Sequence, residues 1–164
     1  MSESDLENRL YLDLPAGRVT IRLRPDLAPN HVVRIKTLVR DGFYDGTPFH
    51  RVIRRFMAQG GDPTGKGTGG SGQRLKAEFS DAPFARGTCG MARTQDPDSA
   101  DSQFFICLAD VPHLNGQYTV WGEVTDGMDA VDALKKAPLG RSSGLVDDPD
   151  KLTRAVLASD AQDG

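Results

Sequence analysis

Between residues 60 and 70 the sequence reads GGDPTGKGTGG, one residue short of a nucleotide-binding loop. Gly60 and Gly65 precede Lys66 at the spacing with which backbone N–H groups cradle phosphates while a lysine reaches them. Gly67 then stands where the magnesium-binding hydroxyl belongs. The run from Gly67 to Gly72 is also too poor in helix formers to supply the helix N-terminus that such a cradle needs. These faults are independent, so no nucleotide binding is expected, and Lys66 reads as a solvated loop charge. Just upstream lie Phe49-His50-Arg51 and Phe56-Met57-Ala58-Gln59, a cation and an amide among large apolar side chains. Arg51 alone would read as a surface charge. The three histidines, His31, His50 and His113, show no metal-ligand spacing. Cys89 and Cys107 read as reduced small hydrophobes, without disulfide or thiol chemistry.

The elements that must position these residues belong to a chain of 164 residues, about the size of one domain over 1–164, with its core at about 8–158. Charged residues make up 26% and the net charge is −3, so nothing points to nucleic acid as a partner. The start, MSESDLENRL, lacks the basic and apolar regions of a signal peptide, and no run of eighteen apolar residues occurs. A cytoplasmic protein with no membrane partner is the expectation, with disorder in the first few residues and after Ser159.

Leu10, Leu12 and Leu14, then Val19, Ile21 and Leu23, alternate with polar residues on either side of Pro15-Ala16-Gly17, which predicts a β-hairpin. From Pro29 the period becomes helical through Val32, Ile35 and Val39, and Gly42 is the stop. Residues 47–62, SQFFICLAD and YTVWGEV read as further strands, and KLTRAVLAS as a last one. A second helix is expected between Gly122 and Ala137, capped by Asp126, with Val131 and Leu134 facing inward. Many short strands punctuated by Gly and Pro, with a helix near each end, suggest an antiparallel barrel or sandwich.

The segment FHRVIRRFMAQGGDPTGKGTGG resembles the cyclophilin family of peptidyl-prolyl cis-trans isomerases. GMA at 90–92, SQFFI at 102–106, LNGQYTVWGEV at 114–124 and DGMDAVDAL at 126–134 match the family's later blocks in order. The likeness runs from about Leu10 to Val156 and is closer to bacterial single-domain members. It implies a mainly β fold, a closed antiparallel barrel of about eight strands capped by two α-helices. It also implies rotation about X-Pro peptide bonds, whose amide resonance sets a barrier of ~18–20 kcal/mol. No bond is made or broken, so no nucleophile, metal or cofactor is required.

Carried over by the resemblance, Arg51 would be the catalytic donor against the prolyl amide, and Phe56, Met57, Phe105 and Leu114 the proline pocket. Simple alternation places Phe56 and Met57 on opposite faces, so a bulge or twist is needed for both to reach one ligand. Gln59 and the main chain of Arg93, beside Ala92, would hold the substrate backbone; Arg93 stands where Asn is common in the family. His50 would line or support the site, Tyr118 takes a rim position, and Trp121 is assigned to the core. His113 occupies the place where tight cyclosporin binders carry Trp, so weakened cyclosporin binding is expected. His31 is expected to be exposed. The resemblance thus implies a folding-assisting, monomeric isomerase for proline-containing polypeptides. A proline-peptide binding module with little turnover is the alternative, though such a module would be expected to lack Arg51 or Phe105.

Overall fold

The computed structural model describes residues 3–161. Its sheet starts from the predicted hairpin: β1 (Arg9–Leu14) buries Leu10, Leu12 and Leu14, and β2 (Gly17–Leu23) buries Val19, Ile21 and Leu23. Six more strands follow, β3 (Arg51–Ile53), β4 (Met57–Gly60), β5 (Thr88–Met91), β6 (Phe104–Cys107), β7 (Val120–Asp126) and β8 (Arg154–Leu157). All pairings are antiparallel, in the order β3-β4-β6-β5-β7-β2-β1-β8. The fold is a mainly β, curled sheet with helices packed on it.

The expected closure of a barrel is not made by strand pairing. β3 and β8 are the two ends of the sheet and do not pair with each other. The chain that leads into β8 runs along β3 instead. Val52 donates its amide to Gly144, Val146 to His50 and Phe49 to Asp150, at 3.1, 2.9 and 2.9 Å. Backbone groups at an open edge are thereby paired by an irregular segment.

Among the described residues three α-helices accompany the sheet. α1 (Glu3–Glu7) was not anticipated, and it overturns the expectation of disorder at this end. Glu7 receives Arg40 at 2.9 Å and the Ser159 hydroxyl at 2.8 Å, which ties α1 to the 3-10 turn Ala158–Asp160. Expected disorder at residues 1–2 and 162–164 lies outside the described residues. α2 (Pro29–Arg40) buries Val32, Ile35 and Val39 as predicted, and ends before Gly42, whose φ of 72° is left-handed.

The second predicted helix is much shorter than expected, α3 being only Met128–Asp132. β7 continues through Asp126, which pairs with Thr20, so Asp126 is a strand residue and not a cap. Gly127 turns the chain with φ 84° where a Cβ would strike the Arg18 carbonyl. Val131 and Leu134 are buried as foreseen, and Lys136 donates to the carbonyls of Asp132 and Leu134 at the helix end. No helix among the described residues is long and apolar enough to cross a membrane.

His31, expected in solvent, is fully buried. Residue 28, which precedes α2, is Ala and provides no side-chain cap. Glu78 arrives from the loop instead and accepts the amides of Asn30 and His31 at 3.2 and 2.8 Å, and the His31 Nδ1 at 2.6 Å. The loop that brings this distant cap covers the histidine.

Candidate active site

Cross-strand register assembles one row of residues on the outer face of the sheet. Arg51 on β3 pairs with Gln59 on β4, Gln59 with Phe105 on β6, and Phe105 with Gly90 on β5. Opposite residues in a ladder share a face, so a cation, an amide and an aromatic ring stand side by side. Met57, two residues before Gln59, points the same way. Gly90 leaves room for Phe105: a Cβ there would lie 2.5 Å from its ring and 2.7 Å from that of Phe84.

Phe56 reaches this face through a turn, where the sequence called for a bulge or twist. The chain turns at Arg54-Arg55-Phe56, with Arg55 at φ 58°, and β4 begins only at Met57. Phe56 is therefore a turn residue whose direction alternation does not govern. Both it and Met57 line a cavity of about 140 Å³. Phe105, Leu114 and Ala92 form other apolar parts of the wall, and Tyr118 packs edge-on to Phe105 with centroids 5.5 Å apart. Arg51, Gln59 and Arg93 supply the polar lining. The cavity thus unites all the expected site residues except His50 and His113.

His113 is exposed at the edge, its ring centroid 5.8 Å from that of Phe56. His50 is buried on the other side of the strand, under the glycine loop, where a Cβ on Gly67 would be 3.4 Å from its Nε2. Burial holds the His50 pKa below the ordinary imidazole value, although Asp62 opposes this. His50 does not line the cavity.

The Arg51 side chain is held on two sides. Nε donates to the Ser143 carbonyl at 3.0 Å and Nη1 to Gln59 Oε1 at 3.3 Å. Gln59 Nε2 in turn donates to Gln103 Oε1 at 2.9 Å, and Gln103 Nε2 to the Gly69 carbonyl at 3.1 Å. Gln103 was missed in the sequence, although it lies two residues before Phe105 and so shares its face. Ser143 had no such signal, being 92 residues from Arg51. The main-chain N–H and C=O of Arg93 make no hydrogen bond among the described residues, and Ala92 donates its amide to Gln103.

The glycine run is an anion cradle whose anions are internal. Asp62, fully buried, accepts the amides of Thr64, Gly67 and Gly69 at 2.8, 2.6 and 3.1 Å, and the Thr64 hydroxyl at 2.8 Å. Burial pushes its carboxyl up, but these donors outweigh it and hold the pKa below the usual carboxylate value. Asp101 accepts the Ser71 amide and hydroxyl at 2.8 and 2.5 Å and the Gly72 amide at 2.9 Å. Cβ atoms at Gly69 and Gly70 would strike these two carboxylates. Amides that would face a phosphate are therefore turned inward, no helix follows, and Lys66 is exposed.

The chain is similar to proteins of known sequence and known structure. The sequence pattern described as "Cyclophilin type peptidyl-prolyl cis-trans isomerase/CLD" matches residues 9–156. The chain belongs to the cyclophilin-type family. Among its cyclophilin relatives, a probable peptidyl-prolyl cis-trans isomerase of Brucella suis biovar 1 is 52% identical, the match covering 98% of this chain and 88% of the relative. Peptidyl-prolyl cis-trans isomerase B of Bacillus subtilis is 44% identical over 69% of this chain and 80% of its own length. In three dimensions the chain is similar to the Cryptosporidium parvum cyclophilin crystallised in the presence of the dipeptide Ala-Pro. That match has a TM-score of 0.83 and 30% identity, covering 91% of this chain and 98% of the other.

The cysteines fall on opposite sides of the cyclophilin sheet, Cys89 in the inner apolar cluster and Cys107 in the outer one. Both are free, and burial pushes Cys89 up and Cys107 to about 12, far from thiolate chemistry. Trp121 is buried as expected and packs edge-on to Phe104 with centroids 5.9 Å apart.

Proposed function

We propose that this cyclophilin accelerates cis-trans rotation about X-Pro bonds, with Arg51 as the donor to the prolyl amide nitrogen. The observation that carries this reading is the position of Arg51 on the same small cavity as Phe56, Met57, Phe105 and Leu114. Among the described residues no carboxylate lines that cavity to compete for the guanidinium.

Rotation breaks amide resonance, so the nitrogen lone pair becomes available only in the twisted state. A donor aimed at the nitrogen then binds the transition state more strongly than either ground state. The anchors at Ser143 and Gln59 hold Arg51 in place before substrate arrives, so little reorganisation is needed. A charge-assisted hydrogen bond contributes ~1.5–3 kcal/mol, on the order of ten- to hundredfold in rate. The apolar cavity would grip the ring and remove water from the amide. Gln59 and the free main-chain groups of Arg93 would hold the flanking chain.

In this reading the 1–164 chain is one domain, acts as a cytoplasmic monomer on proline-containing polypeptides and assists their folding. His113 at the rim offers less apolar area than Trp, so cyclosporin should bind weakly. The test is isomerisation of an Ala-Pro peptide measured by NMR exchange. Rates equal to the thermal rate would remove the enzyme reading. A fast rate that survives Arg51→Ala would remove Arg51 as donor.

A further inference from the structure

β5 and β7 stop pairing where the chain reaches the proline cavity. Thr88, Cys89 and Gly90 pair with Glu123, Gly122 and Val120, and Met91 donates its amide to the Thr119 carbonyl at 3.0 Å. Two residues further, the same ladder would set Arg93 opposite Gln117, and the Gln117 carbonyl would accept the Arg93 amide. The Arg93 side chain takes that carbonyl instead. Nε and Nη2 donate to it at 3.0 and 2.6 Å, while Nη1 donates to the carbonyls of Thr94 at 2.9 Å and Gln95 at 3.5 Å. The guanidinium also lies 4.8 Å from the centroid of the Tyr118 ring and 5.9 Å from that of Phe79, within cation–π range of both.

These contacts tie together two chain segments that line the cavity. Ala92 and Arg93 reach it from the end of β5, and Leu114 and Tyr118 from the turn before β7. The Gln117 amide donates to the Leu114 carbonyl at 2.9 Å, so a group fixed on Gln117 fastens that turn as well. All four acceptors of the guanidinium bonds are main-chain oxygens. A rigid planar fork of donors can span several such oxygens at a set spacing. The side chain thereby replaces the missing ladder bond, and the main-chain N–H and C=O of Arg93 stay unpaired among the described residues.

We propose that Arg93 is, through its side chain, a positioning residue of the isomerase. It holds the end of β5 against the turn of Leu114 and Tyr118 before substrate arrives, and by occupying the Gln117 carbonyl it leaves its own amide for the substrate backbone. The inference rests on the isomerase reading above. Arg51 and its anchors at Ser143 and Gln59 are not part of this tie, so its loss is felt in binding and not in the rotation itself. Without the tie, backbone that is now fixed must be ordered at each binding event. Ordering about one residue corresponds to roughly five- to tenfold in affinity.

The experiment compares wild type, Arg93→Ala and Arg93→Lys on an Ala-Pro peptide by NMR. Titration gives Kd, and exchange at saturating peptide gives kcat per folded molecule. Arg93→Ala should raise Kd about five- to tenfold with kcat within about twofold of wild type. Arg93→Lys keeps the charge but loses the fork, and should raise Kd by at least about threefold. The lysine variant carries the comparison alone if the alanine variant does not fold. Backbone amide order parameters of the free variants should fall at residues 93–95 and 117–118 and stay at the wild-type level in β1 and β2. A wild-type Kd in the folded alanine variant overturns the proposal and leaves the isomerase reading standing. So does full rescue by lysine, a loss that falls on kcat instead of Kd, or unchanged order parameters at 93–95 and 117–118. A wild type that neither binds nor accelerates the peptide removes the isomerase reading, and this inference falls with it.

Discussion

The two faces of the strands around the site carry alternate residues of the same short segments, yet they end as different objects. Inward, Val52, Ala58, Phe104, Ile106 and Trp121 join a large sealed cluster with β1, β2, β8 and α2. Outward, Met57, Phe105, Cys107 and Val120 form a smaller cluster with Phe84, Val111 and Leu114, and the half-buried Leu27, Ile53, Phe56, Ala82, Ala92 and Tyr118 pack against it. The inner face is a finished core. The outer one is a core left open at one end, and the open end is where Arg51 stands. An apolar surface becomes a binding site when its cover is incomplete and a fixed polar group borders the gap.

The contrast predicts different losses on the two sides. Trp121→Ala should cost about 3–5 kcal/mol by chemical denaturation, while the molecules that remain folded keep their kcat/KM. An equal loss of activity per folded molecule would mean that the two faces are not separable. Arg51→Ala should do the opposite, lowering kcat/KM by roughly ten- to hundredfold with little change in Tm. Gly90→Ala sharpens the comparison from between the faces: its new methyl drives against Phe105 and Phe84, which should cost about 1–3 kcal/mol and weaken proline-peptide binding in titration. A neutral result there would show that the outer layer is loosely packed.

The smallest expected effect is a pH dependence remote from both faces, at the Glu78 clasp on α2. Burial depresses the His31 pKa below its ordinary 6.5, against the opposing hydrogen bond that the ring donates to Glu78. The folded state keeps this imidazole neutral while the unfolded chain takes up a proton below that value, so stability declines as pH falls from about 6.5. Glu78 is itself pushed up by burial, but the His31 ring and two amides outweigh this and set it below its ordinary 4.5. Its contribution is full above 4.5 and is lost as pH falls through the folded value. Both act in one direction, at up to ~1.4 kcal/mol per pH unit for each proton. Urea midpoints between pH 8 and 5 should fall in the wild type and fall less in His31→Gln. A wild-type profile that stays flat below pH 6.5 would refute the clasp.

Much of this was legible in the chain. Alternation in Leu10–Leu23 marked the first hairpin because one face of it is buried, and the helical period from Pro29 marked α2 for the same reason. The ordered blocks pointed to nine residues that share the cavity, though simple alternation misjudged how Phe56 reaches it. It was misjudged because a positive φ at Arg55 ends one strand before the next begins. The length of α3 was misread because pairing with Thr20 extends β7, an influence from more than a hundred residues away. The exposure of His31 was misread because its cover, Glu78, comes from a distant loop.

The near-phosphate loop draws the same boundary. Its composition alone ruled out a phosphate cradle, since a helix and a hydroxyl were missing. Where its amides turn instead was decided by Asp62 and Asp101, the latter about thirty residues further along the chain. Periodicity and residue type act through neighbours in the chain, and they determined the strands, α2 and the chemical inventory of Arg51, Gln59 and the aromatic rings. Register, the Ser143 anchor and the seat of the Arg93 guanidinium on the Gln117 carbonyl depend on which distant groups arrive within hydrogen-bonding range, and only the tertiary structure decides that.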